Sequence, residues 1–153
     1  MLIASYAFAS IVFYFIVLAI HECSHILIPW SHGWRVEISL LPSWSAGRFT
    51  FGHATWQKEK HSREIQNKGW VYIAPRISNL FFIVILAFCD NNFIKLFQVF
   101  MAIDFIFNTI PIFISRRPND AWLTAEGFKW NIRLTRLASF AACGIVAGIV
   151  FFV

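Results

Sequence analysis

The sequence predicts an all-α membrane protein of about four transmembrane helices, with a short β-hairpin in the first cytoplasmic loop, built as a single domain over residues 1–153. Three observations predict it. Only 14% of the residues are charged and 58% are hydrophobic, whereas soluble domains carry about 25% charged residues. A chain of 153 residues has too little interior to hide that surplus of apolar surface, which leaves lipid as its natural solvent. The charges are also clustered, and the runs between them approach the ~20 residues that a helix needs to cross hydrocarbon.

The first span is expected over about Leu2–Ile28. It has no basic n-region, its apolar run is longer than a signal h-region, and no small-residue cleavage site follows, so it is expected to be retained. In the loop after it, Arg35-Val36-Glu37-Ile38-Ser39-Leu40 alternates polar with apolar residues, as does Arg48-Phe49-Thr50-Phe51. The turn formers Pro42 to Gly47 lie between them, predicting a hairpin that pairs these two segments. Gln57 to Lys68 is charged and predicts a solvated connector. The second span is expected over about Trp70–Phe88 and the third over about Phe93–Ile114. A fourth, about Leu137–Val153, is an addition to a core of residues 1–122.

Charge sets the expected orientation. The net charge is +5, with six of the thirteen Lys and Arg between Arg35 and Lys68 and five between Arg116 and Arg136. Four spans place these two basic loops on one side, which the positive-inside tendency makes the cytoplasm, with both termini outside. All seven tryptophans lie in or beside the same two loops, as expected of indoles at a membrane–water interface. The basic residues flank apolar spans and form no single basic face, which argues against a nucleic-acid partner. Cys23, Cys89 and Cys143 are far apart and make neither a disulfide framework nor a cysteine metal site.

His21-Glu22-Cys23-Ser24-His25 carries the chemistry. On a helix, positions four apart share a face, so two imidazoles can hold one metal ion while Glu22 is rotated toward a water beside it. Zinc suits imidazole and carboxylate donors in a tetrahedral shell, and ionisable groups inside a span are costly unless they have partners. A third ligand is expected from Asp120 or Asp104. The histidine pair lies roughly 30 Å along its helix from Leu2 at ~1.5 Å per residue, toward the cytoplasmic end. That depth favours Asp120, at the cytoplasmic end of the third span, over Asp104 near its middle. Asp104 is four residues from Asn108, so the two share a helix face and are expected to pair inside the bundle, where Asp104 can also orient a histidine. His32, His53 and His61 have no ligand spacing.

These motifs resemble those of the site-two protease family of intramembrane zinc metalloproteases. In that family the His-Glu-x-x-His helix is joined by a later helix with an Asn-x-x-Pro stretch leading to a Leu-Asp-Gly. Here Asn108-Thr109-Ile110-Pro111 precedes Pro118-Asn119-Asp120-Ala121. The family's Gly-Pro-x-x-Asn is similar to Ala74-Pro75-Arg76-Ile77-Ser78-Asn79. The resemblance covers Ile20 to Trp122. It implies zinc held by His21, His25 and Asp120, Glu22 as the catalytic residue, and Asn79 and Asn108 at a substrate-binding site. It implies a membrane-embedded protein or peptide precursor as substrate, cut in or near a transmembrane segment, and a small bacterial-type member of the inner (cell) membrane with its active site toward the cytoplasm. The hairpin is similar to a family β-element that receives an unwound substrate. The alternative expectation is a membrane protein that binds the metal without turnover and acts as an assembly partner. A metal transporter would need further ligands lining a path, and only Asp104 and Asn108 lie deeper than the site.

Overall fold

A computed structural model describes residues 2–41, 43–45, 48–50, 52–111, 113–114 and 117–152. Helix α1, Leu2–Ser31, is the longest element, and its thirty residues contain no glycine. It stops where Gly33 adopts φ 76°, the left-handed conformation that lets a helix terminate, with its N–H bonded to the Trp30 carbonyl at 2.9 Å. Four short strands follow: β1 Arg35–Ser39, β2 Ser43–Ser45, β3 Arg48–Thr50 and β4 His53–Gln57. Then come α2 Gly69–Leu86, α3 Asn92–Thr109, the two-residue strands β5 Phe113–Ile114 and β6 Arg117–Pro118, α4 Asp120–Gly127 and α5 Ile132–Phe152. Asparagine starts three of these helices: the side chains of Asn91, Asn119 and Asn131 accept first-turn N–H groups of α3, α4 and α5.

Three described helices are long and apolar enough to cross a membrane: Ala4–Ser31 within α1, Gly69–Leu86 and Ile132–Phe152. The expected four are therefore three by length and composition. The segment expected as the third span does form a helix, α3, but Lys95, Gln98, Asp104 and Asn108 dilute its apolarity. The reason lies in its place in the bundle. α3 packs against α1, α2 and α5, so part of its surface meets protein and can carry polar groups. The last span begins five residues before the expected Leu137, because Asn131 caps a helix that takes in Arg133 and Arg136.

The hairpin forms with a different pairing. β1 runs antiparallel to β4, not to β3, in the register Arg35↔Gln57, Glu37↔Thr55, Ser39↔His53. β3 pairs with β2 as an inner ladder, Ser43↔Thr50 to Ser45↔Arg48; positions 42 and 46–47 of the expected turn and 51 of the expected strand lie outside the described residues. The outer pairing is favoured because β4 brings its own five-residue ladder and packs Trp56 against the helices, with its ring 6.1 Å from His25 and 5.9 Å from Tyr72. Both β1 and β4 lie against α1.

Burial runs opposite to that of a soluble domain. The apolar core is small, centred on Val17, Ile83, Met101, Phe105 and Val146. His21, Glu22, His25, Arg76, Asn79 and Gln98 are buried alongside it. Phe8, Phe81, Phe107, Phe140 and Phe151 are all more than half exposed. An apolar exterior around a hydrogen-bonded polar interior is the arrangement that lipid favours.

Candidate metal centre

α1 supplies the motif. His21 and His25 stack one turn apart, ring centroids 5.0 Å apart, and both side chains are more than nine-tenths buried. α4 supplies the acid. Asp120 is the first residue of α4, where a carboxylate faces the positive end of the helix. Asn119 fixes that helix start: its side chain accepts from the Trp122 N–H at 3.1 Å, while its Nδ2 donates to the Ile110 carbonyl at 2.8 Å. The far end of α4 is held by close backbone approach. A Cβ on Gly127 would lie 2.5 Å from the Gly69 nitrogen, so only glycine lets α4 settle on the start of α2. Ala121, Thr124 and Ala125 are fully buried on the face of α4 that packs in.

The result is convergence. Asp120 Oδ2 lies 2.9 Å from His25 Nε2 and 3.2 Å from His21 Nε2. The ligand atoms of His21, His25 and Asp120 all fall within 4.8 Å of one another, and they form the one such metal-capable group among the described residues. His32, His53 and His61 stand outside it.

The other ring nitrogens decide what these atoms can do. His21 Nδ1 donates to Asp104 Oδ2 at 2.7 Å, and His25 Nδ1 donates to the Val71 carbonyl at 3.0 Å. The second acceptor has a cause in the sequence. Pro75 sits inside α2 and has no N–H, so the carbonyl four residues earlier, that of Val71, loses its helical donor and is left for His25. With both Nδ1 positions committed as donors, the Nε2 atoms are the ones that meet the Asp120 carboxylate through hydrogen bonds, and loss of those protons frees Nε2 and Oδ2 together to bind a cation. Three Lewis bases then face one point, a donor set that fits a cation. Burial alone would raise the Asp120 carboxyl, but its hydrogen bonds with the two imidazoles outweigh that and hold it below the usual carboxylate range.

Asp104 does not join the three. It takes His21 Nδ1 and the Asn79 side-chain amide on Oδ2, and the Asn108 amide on Oδ1 at 3.1 Å. Asn79 and Asn108, expected at a substrate-binding site, are thus brought together on Asp104, one hydrogen bond removed from His21. This is the carboxylate–histidine arrangement that orients metal ligands. Glu22 is 7% exposed and accepts the backbone N–H of Ala54 in β4, within electrostatic reach of His21, His25 and Asp120.

No family model, curated protein or solved structure matches the chain. The centre therefore stands on its own geometry.

Three participants had no role at the sequence level. Pro75 was visible as a motif residue, but its effect on Val71 needs the facing helix. Arg76 donates to Thr124 Oγ1, which in turn donates to the Asp120 carbonyl at 2.7 Å, tying α4 to α2. Asn119 was readable as a helix cap from its residue type, had α4 been expected.

Proposed function

We propose that the protein is an intramembrane zinc metalloendopeptidase that hydrolyses a peptide bond in or near a transmembrane segment. What supports this above all is the meeting of His21 Nε2, His25 Nε2 and Asp120 Oδ2 with the buried Glu22 carboxylate beside them. A purely structural metal site has no use for that extra buried acid, whose burial is costly.

Zinc held by His21, His25 and Asp120 supplies Lewis acidity toward water and a scissile carbonyl. Glu22 takes a proton from the attacking water and returns it to the leaving amine. Its bond from Ala54 fixes it next to the hairpin. Asp104, steadied by Asn79 and Asn108, keeps the His21 ring turned with Nε2 inward, and the Val71 carbonyl does the same for His25. β4 pairs with β1 on one side, and its other edge is where an extended peptide would lie. A helical substrate must unwind to reach it, because its carbonyls are otherwise taken by internal hydrogen bonds.

In this proposal α3 crosses the membrane with the three apolar helices. Its 18 residues give about 27 Å, and its polar residues turn into the bundle. The basic loops then face the cytoplasm, with the metal centre toward that side of the cell membrane.

The test is Glu22→Gln in cells that co-express a panel of tagged single-span membrane segments. Cleavage by the wild type is expected to vanish in the variant, while zinc content and folding persist. Cleavage that continues unchanged in the variant would sink the catalytic assignment. A zinc-loaded wild type that cuts nothing would favour the assembly-partner alternative.

A further inference from the structure

Arg76 lies within the apolar length of α2 and is 8% exposed, yet it enters no ion pair of the described residues. Its Nη2 donates to Thr124 and to the Tyr72 carbonyl, whereas Nε is buried with no acceptor among the described residues. Guanidinium does not shed its proton, and a buried cation without a counter-charge is expensive. Asp120 acts on it through space but spends its Oδ2 on the two imidazoles.

A second buried group nearby is also unpaired. Thr109 Oγ1, near the end of α3, has no partner among the described residues, and the residues Thr109 and Arg76 both line one cavity of about 450 Å³. The cavity lies along α5, from Trp130 and Asn131 just before the helix to Ala142 within it. At ~1.5 Å per residue that is about 15 Å. Its head end therefore lies at the level of an interfacial tryptophan, and its tail end among small apolar residues, Ala138 and Ala142. None of its lining residues is a metal ligand.

We propose that this cavity is a binding site for an anionic phospholipid. The headgroup phosphate takes the Arg76 guanidinium, and one acyl chain lies along α5. The phosphate supplies the paired negative charge that Arg76 lacks among the described residues. The apolar wall and the helix-parallel shape fit a lipid better than a free anion. Through the Arg76–Thr124–Asp120 connection, an occupied site also holds α4, and so the third metal ligand, against α2.

The test is native mass spectrometry of the full chain in nonionic detergent, titrated with dioleoyl phosphatidylglycerol, with dioleoylglycerol and inorganic phosphate as comparisons. Because Arg76→Gln also removes the tie to Thr124, the second variant is Ala138→Phe, which fills the groove from an exposed position and leaves Arg76 in place. Metal content and Tm, measured on the same samples, report folding. One phosphatidylglycerol held by the wild type is expected, with affinity lowered about tenfold in both variants. The proposal is overturned if folded Ala138→Phe binds the lipid as the wild type does, or if dioleoylglycerol binds as tightly. Displacement of the lipid by millimolar phosphate would overturn it too, by assigning the site to a free anion.

Discussion

In the proposed metal centre, Asp104→Asn separates the acid that orients a ligand from the acid that is one. Asn keeps the shape of Asp104 but removes its charge and turns one oxygen into a donor. Asp104 Oδ2 accepts from His21 Nδ1 at 2.7 Å and from Asn79, while Oδ1 accepts from Asn108 at 3.1 Å. Whichever way the new amide is turned, its NH2 meets at least one donor. Turned toward Asn108, it leaves the His21 bond intact but neutral. Charge-assisted hydrogen bonds are worth about 1.5–3 kcal/mol against about 0.5–1.5 for neutral ones. The loss is then about 1–2 kcal/mol, or roughly 5–30-fold in metal affinity, within the range expected when a ligand loses its orienting partner. The assay is competition for zinc against a chelating dye, using metal-stripped protein in detergent. Asp104→Asn should bind one zinc about tenfold more weakly, whereas Asp120→Ala should lose the site. If Asp104→Asn lost all zinc while Asp120→Ala kept it, the two acids would have to exchange roles. Wild-type affinity in Asp104→Asn would mean that the His21–Asp104 bond has no part in holding the metal.

Two other substitutions probe how the helices build the centre. Pro75→Ala returns an N–H to the Val71 carbonyl and removes a helix-interior proline that costs about 3 kcal/mol; Tm should rise while zinc affinity falls several-fold, and a rise in Tm with unchanged affinity would refute the account of His25. Gly127→Ala places a Cβ 2.5 Å from the backbone of Gly69, so the start of α2 and the end of α4 must part; a loss of about 1–3 kcal/mol is expected, read as a lower Tm with weaker zinc binding, and an unchanged Tm would show that the contact yields freely.

Composition and spacing alone determined a good deal of this protein. The long apolar runs dictated α1, α2 and α5, because a helix is the structure in which a single segment satisfies its own backbone in lipid. The four-residue spacing of His21 and His25 put both rings on one face, because helix geometry is local. What tertiary structure decided were matters of partnership. Asp120 and Asp104 are both acids in the right half of the chain, and only the fold of α4 onto α2, through Gly127, Thr124 and Asn119, brings Asp120 to the imidazoles and leaves Asp104 behind His21. The alternation in Arg35–Ser39 announced a strand, yet its partner is β4, because pairing depends on which ladder also packs Trp56 on the helices. Asn108 meets Asp104 as their four-residue spacing on α3 predicts, but only the packing of α2 on α3 adds Asn79 to the same carboxylate. Arg76 was one more charge on a span until the fold left it buried without an ion pair among the described residues. Local sequence sets backbone periodicity and depth, while which buried donor meets which acceptor depends on contacts between segments far apart in the chain.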